Sequence, residues 1–176
     1  MPDAAPQRKT PPKAPAIAAL IALVGLPLYA QLQADTKADE GEVHHAYRDL
    51  GGVWTICRGT TRSVKPGQTA TTDDCDAMTA ADLVIAVKGV EACAPILKYP
   101  VLHSQLRAAV RMNNNTGAFC KGWWKNRPSP AQLMRGGDLA GGCQEMLRYD
   151  LVKGKQIPGL TARRKREVAM CMEGLV

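Results

Sequence analysis

The sequence predicts an α+β body, mostly helical with one small sheet near its start, preceded by an apolar helix. Three observations carry this. An uncharged stretch runs from Ala14 to Ala34; β-formers cluster in Val53-Trp54-Thr55-Ile56; and the rest of the chain repeats apolar residues at helical spacing.

The apolar stretch comes first. Residues 1–13 are polar and proline-rich, with Arg8, Lys9 and Lys13 against Asp3. The segment 14–34 that follows would span roughly 30 Å as a helix, enough for a bilayer core. Positive charge before it and Asp35, Asp39 and Glu40 after it predict an N-terminus inside and a body outside. The best cleavage site, ending at Ala30, has Leu28 where a small residue is needed, so the segment is expected to stay on the chain. Its many alanines, Gly25, Pro27, Gln31 and Gln33 make it a weak anchor. The expected organisation is a basic cytoplasmic tail (1–13), a signal-anchor segment (14–34) and one exported domain (35–176).

In the body, a helix is expected to end near Tyr47, and residues 52–69 to form short strands turning at Lys65-Pro66-Gly67. Thr71 and Asp74 form a capping box that opens a helix carrying Met78, Leu83, Val84, Val87 and Val90. A helix over 102–112 ends in the Asn113-Asn114-Asn115 run and Gly117. Short helices cover 131–134 and 138–149. The last begins at Thr161, with Val168, Cys171, Met172 and Leu175 on one face. Arg163-Arg164-Lys165-Arg166 reads as a solvated face beside Glu167, or as a contact for an anionic wall or membrane.

A net charge of +7 favours anionic partners without choosing among nucleic acid, lipid headgroups and peptidoglycan. The six cysteines show no C-x-x-C spacing, and His44, His45 and His103 complete no ligand set, so no metal is expected. Six scattered thiols fit three disulfides in an exported protein, with 15 pairings open.

The chemistry is concentrated in the run Glu40-Gly-Glu-Val-His-His-Ala-Tyr-Arg-Asp49-Leu-Gly-Gly-Val-Trp-Thr55-Ile-Cys-Arg-Gly59. Two carboxyl groups flanking one bond, one protonated and one ionised, are what glycoside hydrolysis requires. Alone, such a pair is more often solvated surface. The run, however, resembles the active-site segment of the phage lysozymes of glycoside hydrolase family 24, with a Glu nine residues before an Asp and a Thr six after it. The stretch Leu151-Val-Lys-Gly-Lys-Gln-Ile-Pro-Gly-Leu-Thr-Ala-Arg-Arg164 resembles the family's later segment, and Gln105, Ala108, Asn115, Gly117 and Phe119 fit its central helix and N-x-G turn.

The resemblance implies a lysozyme fold with a small sheet lobe and a larger helical lobe. It implies cleavage between N-acetylmuramic acid and N-acetylglucosamine without a cofactor. Glu40 would be the general acid, and Asp49 and Thr55 would hold the attacking water in an inverting mechanism. The uncleaved apolar segment resembles the signal-arrest-release endolysins, which are exported tethered and inactive, then freed into the periplasm to lyse the host. Segment 14–34 holds no cysteine, so release would act by completing the site around Glu40. On these lobes the expected disulfides are Cys57–Cys75, Cys120–Cys143 and Cys93–Cys171.

Expected partners are peptidoglycan strands, the inner membrane through 14–34, and a holin-type protein acting first. A monomer is expected, and no nucleic acid. Two other readings stay open: a lytic transglycosylase, and an inactive wall-binding protein of the same fold. The chain departs from the family at Gly59-Thr60-Thr61, where Gly-His-Thr is usual, and at Lys121-Gly122-Trp123-Trp124-Lys125. Trp123 and Trp124 could stack on a sugar, but read more readily as caps on a small core. Asn115 is a candidate substrate contact as well as part of a helix terminator.

Overall fold

The computed structural model describes residues 13–49, 51–98 and 102–175; the basic tail expected over 1–13 lies outside them, apart from Lys13. Helix α1 (Lys13–Glu40) leads into strands β1 (Val43–Arg48) and β2 (Trp54–Cys57). Helices α2 (Thr72–Cys93), α3 (His103–Thr116), α4 (Pro130–Arg135) and α5 (Leu139–Glu145) follow. A short hairpin, β3 (Leu151–Val152) and β4 (Lys155–Gln156), precedes α6 (Pro158–Met172).

The first helix ends earlier than expected. Gly41, at φ 70°, turns the chain out of α1, so His44 to Tyr47 lie in β1 instead of a helix. β1 and β2 pair antiparallel with Tyr47 opposite Thr55 and a register shift before Tyr47. Bridges from His45 to Thr69 and from Ile56 to Thr60 complete this lobe. Its small core is Ile56 with the Cys57–Cys75 disulfide. A second two-stranded sheet, β3–β4, escaped the sequence reading because each strand has only two residues.

The helical lobe is built as the caps dictate. Thr71 accepts from the Asp74 amide and Asp74 accepts from the Thr71 amide, closing the capping box of α2. α3 runs through the asparagine triplet and stops only at Gly117, whose φ of 64° suits glycine. α6 starts three residues before Thr161 because Pro158 occupies its first turn, where a missing N–H costs nothing.

The segment read as a signal anchor lies inside this fold. Leu20, Val24, Leu28 and Leu32, four residues apart, are all buried in the main core. They pack with Leu83, Val87 and Val90 of α2. Fully burying each such side chain stabilises by about 2 kcal/mol. Gly25, at φ 78° and ψ 159°, breaks the helix at its middle, two residues before Pro27.

Two of the three disulfides differ from expectation: the structure pairs Cys93 with Cys120 and Cys143 with Cys171, not Cys120 with Cys143 and Cys93 with Cys171. After Gly117 the chain turns back along the end of α2, leaving Cys120 Sγ 3.3 Å from the Gly89 carbonyl, one turn before Cys93. α5 packs on α6 and brings Cys143 to Cys171.

Candidate active site

Glu40 is the last residue of α1, with its side chain 31% exposed. Arg163 of α6 donates from Nη1 to Glu40 Oε1. Gly59, at φ 85°, lies directly against the Glu40 carboxyl: a β-carbon there would sit 3.7 Å from Oε2. A side chain at this position would strain the backbone, while its β-carbon would meet the acid at an ordinary van der Waals distance.

Asp49 follows β1 in the turn to β2. Its Oδ1 accepts the amides of Gly51 and Val53, both at 2.8 Å, while Oδ2 has no hydrogen bond among the described residues. Thr55 is buried, opposite Tyr47, and its hydroxyl donates to the Val53 carbonyl at 3.1 Å. Asp49 and Thr55 thus meet through Val53, with one carboxylate oxygen fixed and the other open to water. Glu40 meets the same hairpin at its exit, through Gly59.

The helix bearing Glu40 is held by ion pairs. Asp35 accepts from Arg107 Nε and Nη2, both at 2.7 Å, and lies 3.3 Å from Arg111. Asp39 accepts from Arg111 at 2.6 Å and Arg166 at 2.9 Å. Burial pushes the Asp39 carboxyl up, but Arg111, Arg163 and Arg166 together hold it below its ordinary value.

Sequence reasoning missed Arg163 and Arg164. Read as a solvated face, they are 8% and 0% exposed; only Arg166 among these arginines, with its side chain 56% exposed, fits that reading. Both pair with Glu167, and the signal was present: two arginines three and four residues before an acid, on the face of Val168 and Cys171. Asn115 Oδ1 accepts from Arg164 at 3.0 Å, so its side chain secures α6 from the last turn of α3.

The departure at Thr60 also has a structural answer. Its hydroxyl donates to Asp82 Oδ2 at 2.8 Å, linking the sheet lobe to α2. Thr60, Thr79 and Asp82 line a polar cavity of ≈ 140 Å³ beside Gly59. Trp123 and Trp124 both pack on Tyr149, with ring centroids 4.9 and 5.1 Å away. Trp124 is half-buried against the main core, whereas Trp123 is 44% exposed. No cluster of His, Cys, Asp and Glu suited to a metal occurs among the described residues.

A glutamate that ends the first helix and pairs with Arg163, and an aspartate in the hairpin turn that follows, are the two carboxyl groups a lysozyme-type glycoside hydrolase would need. Residues 37–167 match the family described as phage lysozyme. The SAR-endolysin of Pseudomonas phage phiKMV is 32% identical over 155 residues, covering 86% of this chain and 91% of that protein. The SAR-endolysin of Enterobacteria phage P21 is 29% identical over 136 residues, covering 77% and 78%. The chain belongs to the phage lysozyme family. Its fold is similar to that of the active form of P1 phage endolysin Lyz, with TM-score 0.75, 24% identity and coverage of 91% and 95%. Against the secreted inactive form of the same endolysin the TM-score is 0.51, at 21% identity and coverage of 90% and 96%.

Proposed function

We propose that this chain is an endolysin that hydrolyses the β-1,4 bond between N-acetylmuramic acid and N-acetylglucosamine in peptidoglycan, with inversion at the anomeric carbon. Glu40 protonates the leaving oxygen. Asp49 and Thr55 hold the water that attacks from the opposite face. The observation that carries this reading is the fixing of Asp49: two amides hold Oδ1, and Oδ2 is left to accept from a water. No cofactor enters the reaction, and the enzyme works as a monomer. The exposed face of Trp123 is a surface on which a sugar ring can stack.

We further propose that residues 14–34 first hold the chain in the inner membrane, N-terminus inside, and then leave it without cleavage. While they lie in lipid, the main core lacks Leu20, Val24, Leu28 and Leu32, and the helix ending in Glu40 is not seated. Their burial here, and the greater likeness of this fold to the active than to the inactive form of the P1 endolysin, support that order of events. A holin-type membrane protein is the partner on which this release would depend.

The test is digestion of purified peptidoglycan by the full chain, beside Glu40→Gln and Asp49→Asn, with products read by mass and anomeric configuration. Reducing-end muropeptides from the parent, inverted at the anomeric carbon, and none from either variant are expected. Anhydro products would make it a lytic transglycosylase, and wall binding without turnover an inactive member of the fold.

A further inference from the structure

Arg163 serves three carboxylates with one guanidinium. It donates to Glu40 from Nη1, and its Nε lies 3.4 Å from Asp39 and 3.3 Å from Glu167. The Glu167 side chain is 0% exposed, so no glycan can touch it. Yet a carboxylate inside a helical core is costly unless it is paired, and an apolar residue would fill the same face beside Val168 and Cys171.

We propose that Glu167 is a positioning residue for the reaction: with Asp39, it holds and charge-balances the Arg163 guanidinium that fixes Glu40. The inference rests on Glu40 being the general acid. Such an acid must carry its proton when it acts, whereas a lone guanidinium beside it favours the ionised form. Sharing Arg163 with Asp39 and Glu167 divides its charge among three carboxylates while it orients the acid.

The surrounding charges are closely matched, which is why one carboxylate matters. Asp35, Asp39 and Glu40 come from α1. Arg107 and Arg111 come from α3. Arg163, Arg164, Arg166 and Glu167 come from α6. Arg164 is itself turned toward Glu167, 3.0 Å away, with Asn115 Oδ1 accepting from the same nitrogen. Neutralising Glu167 therefore leaves positive charge that only Asp39 and Glu40 can answer. Burial alone raises the Glu167 carboxyl above its ordinary value, so it is the pairing with Arg164 and Arg163, and the nearby Arg111, that favours its charged form.

The experiment is a pH profile of kcat/KM on peptidoglycan for the full-length parent, Glu167→Gln, Glu167→Asp and Asp39→Asn, with Glu40→Gln as control. Activity falls as pH rises through the pKa of the acid. In Glu167→Gln that alkaline limb should move to lower pH by about half a unit, an about threefold loss of rate above the limb. Glu167→Asp should restore it, and Asp39→Asn, which unloads the same guanidinium, should shift it the same way. A merely structural Glu167 would lower Tm and leave the limb in place. An unmoved limb in folded Glu167→Gln and Asp39→Asn overturns the proposal, and Asp39→Asn alone decides if Glu167→Gln does not fold. Activity surviving in Glu40→Gln would instead overturn the reading of the acid.

Discussion

Arg107 grips Asp35 with two nitrogens, each 2.7 Å from a different carboxylate oxygen. The pair joins α3 to α1 immediately after the apolar segment, and both side chains are mostly buried, 24% and 13% exposed. A two-point, partly desolvated contact of this kind is stronger than an ordinary surface ion pair. Asp35→Asn is therefore expected to destabilise the folded protein by about 2 kcal/mol, measured by denaturant titration. If α1 reaches its seat from the membrane, the same substitution should also slow the appearance of activity after membrane release. Full stability in Asp35→Asn would show that apolar burial alone holds α1.

Asp82 carries a pH signature of the opposite sign to Asp39. Burial raises its carboxyl above the ordinary value, and the Thr60 hydroxyl and Arg62 only partly offset this. A carboxyl raised in the folded state favours the fold when protonated, and that stability is lost as pH rises through its folded pKa. Asp82→Asn keeps an acceptor for Thr60 without the charge. It should be more stable than the parent at about pH 7 and no more stable at about pH 3. Equal differences at both pH values would refute this account.

Gly59→Ala should lower stability through its backbone and leave the acid unhindered. The left-handed conformation costs a β-carbon about 1–2 kcal/mol, while that carbon would meet three Glu40 side-chain atoms at 3.7 to 3.9 Å, an ordinary van der Waals distance. Denaturant titration should show the loss. A fall in kcat per folded molecule would contradict this account.

The Cys143–Cys171 bond spans 28 residues and ties α5 to α6, the helix that supplies Arg163. Replacing both cysteines with alanine should cost about 3–4 kcal/mol if the link acts by restricting the unfolded chain. Peptide mapping of non-reduced protein should recover the Cys93–Cys120 and Cys143–Cys171 pairs. Recovery of Cys120–Cys143 would contradict this packing.

Local signals in the sequence were read well, and long-range ones less well. The Thr71–Asp74 capping box depends on a few neighbouring residues and was visible, whereas α3 was ended at its asparagine run, short of the glycine at 117 that stops it. β1 was missed because His44-His45-Ala46-Tyr47 has no strong strand pattern. The glycine at 41 was the available stop signal for α1. The disulfides depended on how α2 meets the chain after α3 and how α5 meets α6, which spacing does not encode. Glu40, Asp49 and Thr55 stood out by resemblance, whereas Arg163 and Glu167 lay in a charge run whose inward face only the packing of α6 reveals. The stripe of Leu20, Val24, Leu28 and Leu32 has the four-residue spacing of a core helix, while the lack of charge around it is the signal that pointed to lipid.

The break at Gly25 bears differently on the two surroundings open to α1. At the kink the ladder of helical hydrogen bonds is interrupted, and Pro27 contributes no N–H to repair it. In water, or at the exposed surface where Gly25 and Leu26 lie in the folded protein, solvent satisfies the freed groups. In hydrocarbon each would cost several kcal/mol. A helix that keeps this break loses far more in lipid than in water, so the Gly25 to Pro27 step would narrow the free-energy gap between the two homes of this segment from the lipid side.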